Sequence, residues 1–222
     1  MYPSVQSAFH GFNTPFEGAI SFMYQDVKGL VTIGVGNLID PVQLAQALPF
    51  RFKSDGTSAS VDQITAEWQA IKNNPTLARA GYRACEPITQ LELSDDSINS
   101  LVAGRLAQNE SFLKRQPWFQ AFDAWPADAQ MGLLSMAWAM GPGGPETFPK
   151  FCAACQKLDF VTAAAECKMD ESGNPGLIPR NRANFTLFSN AAVVHADAAQ
   201  ANFQRAALYY PQVLKAIAAA AT

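Results

Sequence analysis

Charge is scarce in this chain, and so are the residues that usually announce a metal site. Only 16% of its 222 residues are Asp, Glu, Lys or Arg, and the only histidines are His10 and His195. Four cysteines, Cys85, Cys152, Cys155 and Cys167, give one C-x-x-C pair, Cys152-Ala-Ala-Cys155. No second pair completes a zinc-type set. The pair lies in a helical pattern, so small buried thiols are the expectation. Cys85 or Cys167 could still enter a disulfide in an oxidising compartment. Nor is there a basic surplus: 16 Lys and Arg against 19 Asp and Glu leave a net charge of −3, with an isoelectric point near 5.4. That balance excludes the electrostatic footprint of a nucleic-acid-binding protein. No apolar run is long enough to span a bilayer. Met1 to Phe12 lacks the basic start and apolar core of a secretory signal, so any export is expected to take another route. Internal repeats and low-complexity linkers are also missing.

What remains is a globular composition, 49% hydrophobic, in a chain long enough to bury a substantial core as one domain or two closely joined lobes. Ala19 to Gln25 is apolar and aromatic and leads to Asp26. Val27-Lys28-Gly29 supplies a turn, and Leu30-Val31-Thr32-Ile33 is rich in β-branched residues. The pattern predicts a β-hairpin with a short loop, followed by Gly34 and Gly36, whose backbones are free of Cβ constraints. Three polar groups punctuate this apolar segment: Glu17, Asp26 and Thr32. Folding the two arms together brings Asp26, near the tip, towards Thr32 on the return arm, and Glu17 could face them. Two carboxylates and a hydroxyl around one space suit hydrolysis of an acetal, where one acid protonates the leaving oxygen and the other group activates water. A strand's length between Glu17 and Asp26 favours the wide carboxylate spacing of roughly 6.5–9.5 Å that goes with inversion.

Elsewhere helices dominate. Pro3 to Phe12 reads as a short helix, with Asn13-Thr14-Pro15 as a break or a cap and Glu17 in a final short turn. Gln43 to Leu48 suggests a turn or two of helix. Val61 to Asn73 has helical spacing and is closed by Pro75, while Cys85 to Leu93 reads as extended or irregular. The longest pattern is Ser94 to Gln116, with Ser94 as N-cap, Asp95 and Asp96 at the positive end, and Pro117 as the stop. Trp118 to Trp125 reads as a short aromatic helix. Ala127 to Met140 is apolar nearly all round, which predicts the buried centre of a bundle. Thr147 to Leu158 and Asp159 to Met169 add two helices, and Ala191 to Phe203 and Leu208 to Ala220 are read as terminal helices.

The order Glu17-Gly18, Asp26, Thr32-Ile33-Gly34-Val35-Gly36 resembles the catalytic signature of the phage-type lysozymes (endolysins), a glycoside hydrolase family. Members mostly carry His where this chain has Asn37, a position that supports the site. A second run, Gly176-Leu177-Ile178-Pro179-Arg180-Asn181-Arg182-Ala183-Asn184-Phe185-Thr186-Leu187-Phe188, is similar to a segment of the family's large lobe. It places Arg180 where the family pairs an arginine with the catalytic Glu. Arg182 competes for that role because Pro179 disturbs the register, and Asn184 stands where many members have Glu.

The resemblance covers about two-thirds of the chain. It implies one lysozyme-like domain of α+β, mainly helical class: a small hairpin lobe over about 13–93, a linking helix over about 94–116, and a large helical lobe over about 117–222 with 1–12 packed on it. A cleft would separate the lobes, and 41–90 would be an expansion. It further implies hydrolysis of the β-1,4 bond between N-acetylmuramic acid and N-acetylglucosamine in peptidoglycan strands. Glu17 would be the general acid, and Asp26 and Thr32 would hold the water. Arg180 or Arg182 and Asn37 would support them, without metal or organic cofactor. The setting it suggests is a monomer made in the cytoplasm and acting on the wall in the periplasm of a host or target bacterium. This could be an endolysin or, given the acidic chain and Asn37, a secreted antibacterial toxin whose immunity protein occupies the cleft. The rival reading is a non-catalytic wall-binding or protein-binding module.

Overall fold

The computed structural model describes residues 1–215 and is α+β: mainly helical, with small antiparallel sheets. Two compact units make up the chain, one of Asn13–Arg105 and the other of Met1–Phe12 with the chain from Leu106 onward. Helix α1 (Pro3–Glu17) carries the chain from the second of these into the first. It is unbroken at Asn13-Thr14-Pro15, where a break or cap was expected. Pro15 sits in its last turn, where the missing N–H costs a single helical bond, and Gly18 N still donates to Thr14 O at 2.8 Å.

In the Asn13–Arg105 unit a three-stranded antiparallel sheet follows, with β1 (Ile20–Gln25), β2 (Val31–Gly34) and β3 (Asn37–Leu38) adjacent in that order. Tyr24 pairs with Thr32 and Gln25 with Val31, but Ile20 pairs with Gly34, so a bulge lies between. The bulge lets neighbouring Phe22 and Met23 both be buried and resets the alternation. From there Met23 and Gln25 face the core, leaving Tyr24 and Asp26 together on the other face. Gln25 Nε2 donates to Ile71 O and Lys72 O, the exposed carbonyl end of α3 (Val61–Lys72), which comes after α2 (Gln43–Gln46) and β4 (Arg51–Phe52). At its other end α3 has the reciprocal capping pair Ser60 and Gln63, worth about 1 kcal/mol.

Side chains from α3 then hold the hairpin. Lys72 Nζ bonds Asp40 Oδ2 at 2.6 Å and Gly29 O at 3.0 Å, and Trp68 Nε1 donates to Ile39 O. The short α4 (Leu77–Ala80) and two single 3-10 turns lead to β5 (Leu91–Glu92), which pairs with β4 and closes it with an Arg51–Glu92 ion pair of 3.0 Å. The unit ends in α5 (Asp95–Lys114), capped as expected by Ser94, whose Oγ accepts from Ser97 N.

The other unit is built round α6 (Ala127–Met140), buried from Ala127 to Trp138. Its all-round apolar sequence had predicted this position. Packed with it is α9 (Leu177–Ala196), against which α8 (Phe160–Glu166) packs, with α7 (Pro149–Gln156) packed on α8. A Cβ at Gly132 would stand 2.8 Å from the Phe188 ring, so the α6–α9 contact requires glycine there. Trp118 to Trp125 is not an α-helix: only Phe122–Ala124 forms a 3-10 turn, with Phe119, Phe122 and Trp125 all buried. The expected helix from Ala191 is the continuation of α9, which stops at Ala196.

Residues 208–215 are turns and extended chain. Asp128 accepts from Tyr209 N and Tyr210 N, while Asn190 accepts from Leu214 N and donates to Gln212 O. Backbone groups so engaged are withdrawn from helix formation. The rest of the expected Leu208–Ala220 helix lies outside the described residues. All four cysteines are free and buried. Burial pushes Cys152 up to about 11 and Cys167 up to about 12.

Candidate active site

Glu17 is the last residue of α1, and Gly18, in a left-handed conformation at φ 76°, turns the chain from that helix into β1. Its carboxylate is half-buried. At the far end of β1 the tip turn is closed by Asp26 itself. Asp26 Oδ1 accepts from Lys28 N at 2.8 Å and Leu30 N at 2.9 Å, and its backbone bonds Leu30 O and Gly29 N. One oxygen thus fixes the rotamer and leaves Oδ2 without a hydrogen bond among the described residues. Thr32 is 5% exposed and donates its hydroxyl proton to Leu30 O at 3.3 Å. With the proton committed there, Oγ1 meets any further ligand as an acceptor.

Tyr24 interacts with these groups. It is the cross-strand partner of Thr32, on the same face of the sheet, and lies two residues before Asp26 on β1. Its phenol is pushed up to about 12, first by burial and then by the charges of Glu17 and Asp26. It therefore stays a neutral hydrogen-bond donor within the field of both carboxylates. Arg105, on α5, reaches the same group. Its Nη1 donates to Gly36 O at 2.6 Å. Burial lowers the guanidinium from its ordinary value, against the opposing pull of Glu17. Gly36 itself has φ 71°, and its Cβ position is 3.4 Å from Glu17 Oε2 and 3.8 Å from Arg105 Nη1. The β2–β3 turn carrying it is braced by buried Asn37, whose Oδ1 accepts from Val35 N at 3.3 Å. An amide does here what the turn demands, which is to satisfy a backbone N–H.

Glu17, Asp26, Thr32 and Asn37 therefore belong to one unit, in company with Tyr24 and Arg105, which the sequence reading missed. Tyr24 was signalled by its two-residue spacing from Asp26. Arg105 was signalled by its place on the buried stripe of α5, seven residues after Ile98 and beside Leu106, where a cation is out of pattern. The two other arginines lie in the second unit and part company. Arg180 is 1% exposed and donates to Ser135 O and Oγ at 3.4 and 3.3 Å. Arg182, two positions on and so about 200° round the helix, is exposed. With Lys168, Glu171 and Phe185 it lines a surface pocket of about 530 Å³. Asn184 is buried one turn beyond Arg180. Among the described residues no group of three or more His, Cys, Asp or Glu is arranged to hold a metal ion, and no helix is long and apolar enough to cross a membrane.

Comparison of the sequence with protein-family models gives no match, and comparison with curated proteins gives none.

Proposed function

We propose that this protein is a muramidase of the phage-type lysozyme kind, cleaving the β-1,4 bond between N-acetylmuramic acid and N-acetylglucosamine in peptidoglycan. The observation that supports this reading most is the grouping of two half-buried carboxylates, Glu17 at a helix end and Asp26 at a hairpin tip, about one neutral phenol, with Thr32 directly across the strand. Glu17, protonated, gives its proton to the glycosidic oxygen as the bond breaks. Asp26 Oδ2 and Thr32 Oγ1, both acceptors, take the two hydrogens of a water molecule and so turn its lone pair towards the anomeric carbon. Asp26 then receives the proton that the attacking water loses. The rigid tip turn at Asp26 keeps that water in place without ordering anything during the reaction. Peptidoglycan also sets the place of action, the periplasm of a host or target bacterium. A producing cell would need a protein partner that covers Glu17 and Asp26.

The test is release of reducing ends from purified peptidoglycan. The wild type is expected to release them with the α-anomer formed first, since the water attacks the face opposite the leaving group. Glu17→Gln is expected to release none while remaining folded. Turnover by a folded Glu17→Gln protein would remove Glu17 as the acid. A β-anomer would make Asp26 a nucleophile.

A further inference from the structure

Arg105 is a cation that the structure puts beside Glu17 and Tyr24 within their own unit, and it is tied there by a hydrogen bond. A long side chain on α5 reaches 69 residues back along the chain to bond Gly36 O at 2.6 Å. The absence of a side chain at Gly36 keeps open the space in which Glu17 Oε2 and the guanidinium both lie. From their distances to that one point, Glu17 Oε2 and Arg105 Nη1 cannot stand more than about 7 Å apart, a range over which charges in a half-buried site still interact strongly. Tyr24, on β1, feels the charges of both Glu17 and Asp26.

We propose that Arg105 is a positioning residue for the general acid, fixed by Gly36 O so that its charge stabilises the carboxylate Glu17 becomes as it releases its proton. The inference rests on the muramidase reading and adds to it a second source of transition-state stabilisation. In the protonated form that donates, Glu17 carries no charge, and Arg105 gains little from that form. As the O–H bond of Glu17 breaks and the proton passes to the glycosidic oxygen, negative charge grows on Glu17, and the attraction grows with it. An interaction that strengthens along the reaction raises kcat without tightening substrate binding. The hydrogen bond to Gly36 O matters because it costs the guanidinium no rearrangement during the step.

Kinetics on soluble peptidoglycan fragments separate this from a purely structural tether. Arg105→Gln, which keeps a donor for Gly36 O but not the charge, is expected to lower kcat roughly tenfold to a hundredfold with KM within about twofold. Arg105→Lys, which keeps the charge, is expected to recover most of that loss. Unchanged kcat in Arg105→Gln overturns the proposal. So does a loss that follows thermal stability and is not recovered by lysine. Where Arg105→Gln does not fold, a folded Arg105→Lys whose kcat has fallen more than about a hundredfold overturns it as well. Glu17→Gln run beside these separates the two levels. If Glu17→Gln is dead and Arg105→Gln is unimpaired, only the role of Arg105 is lost. If Glu17→Gln is active, or the wild type does not cleave the fragments, the muramidase reading falls and takes this inference with it.

Discussion

Tyr24 and Thr32 face one another across the β1–β2 ladder, so a phenol and a hydroxyl share the face of the sheet that ends in Asp26. Thr32 donates its hydroxyl hydrogen bond to Leu30 O, and the role open to it is that of a fixed acceptor.

The first prediction follows from that role. Thr32→Val keeps the shape and the strand preference of the residue but removes the acceptor. Its kcat is expected to fall roughly tenfold to a hundredfold, with little change in stability because the 3.3 Å bond it loses is long. Thr32→Ser is expected to stay within a few-fold of the wild type. Turnover on peptidoglycan fragments, with circular dichroism to establish folding, is the measurement. Full activity in Thr32→Val would take Thr32 out of the mechanism.

A second prediction separates backbone strain from the site. Gly36 and Gly56 both lie in the left-handed region, at φ 71° and 72°, but a Cβ at Gly56 meets nothing within 4 Å, whereas one at Gly36 stands 3.4 Å from Glu17 Oε2. Alanine at either position is expected to cost about 1 kcal/mol from the backbone alone. Only Gly36→Ala is expected to lower activity as well, since the methyl group crowds and partly desolvates the carboxylate and presses on the Arg105–Gly36 contact. Urea unfolding of both variants beside their turnover decides the matter. Equal activity in the two would mean that the space at Gly36 serves the fold alone.

Much of this was legible in the sequence, and the reasons divide along physical lines. The hairpin could be read because a β-branched run and a turn signal are local. The α6 helix could be read because a residue run apolar on all sides has only one stable place. The Ser94 cap and Pro117 stop bracketed α5 for the same local reason. What escaped was set by contacts distant in sequence. β4 and β5 are two-residue strands some 41 positions apart, too short to carry a period. The bulge between Ile20 and Tyr24 changes which residues face outward, and with it the company Asp26 keeps. Pro15 was expected to interrupt α1, whereas its place in the last turn let the helix run on to Glu17. For the site, Glu17, Asp26, Thr32 and Asn37 were named from their spacing. Arg105 belongs with them only because α5 packs against the β2–β3 turn.

The last prediction concerns the high-pH behaviour of Tyr24. Its phenol titrates near 10 in an unfolded chain and is pushed up to about 12 in the fold, first by burial and then by Glu17 and Asp26, with Arg105 opposing. The folded protein therefore holds this proton where the unfolded chain has lost it. Between pH 10 and 12 the unfolded state binds fewer protons than the native state, so stability falls as pH rises. The contribution is whole below about pH 10 and is gone by about pH 12. Two full units would correspond to nearly 3 kcal/mol, and the partial exposure of Tyr24 reduces this to about 1–2 kcal/mol. Tyr24→Phe is expected to lose stability less steeply than the wild type over that window, by about that amount. The ultraviolet difference titration between the two proteins is expected to show one phenol ionising about two units above the ordinary value. Tyr210, raised by burial, is present in both proteins and cancels. A difference curve centred near 10, with parallel stability profiles, would mean that Tyr24 is solvated. The neutral donor in the field of Glu17 and Asp26 would then be lost from the site.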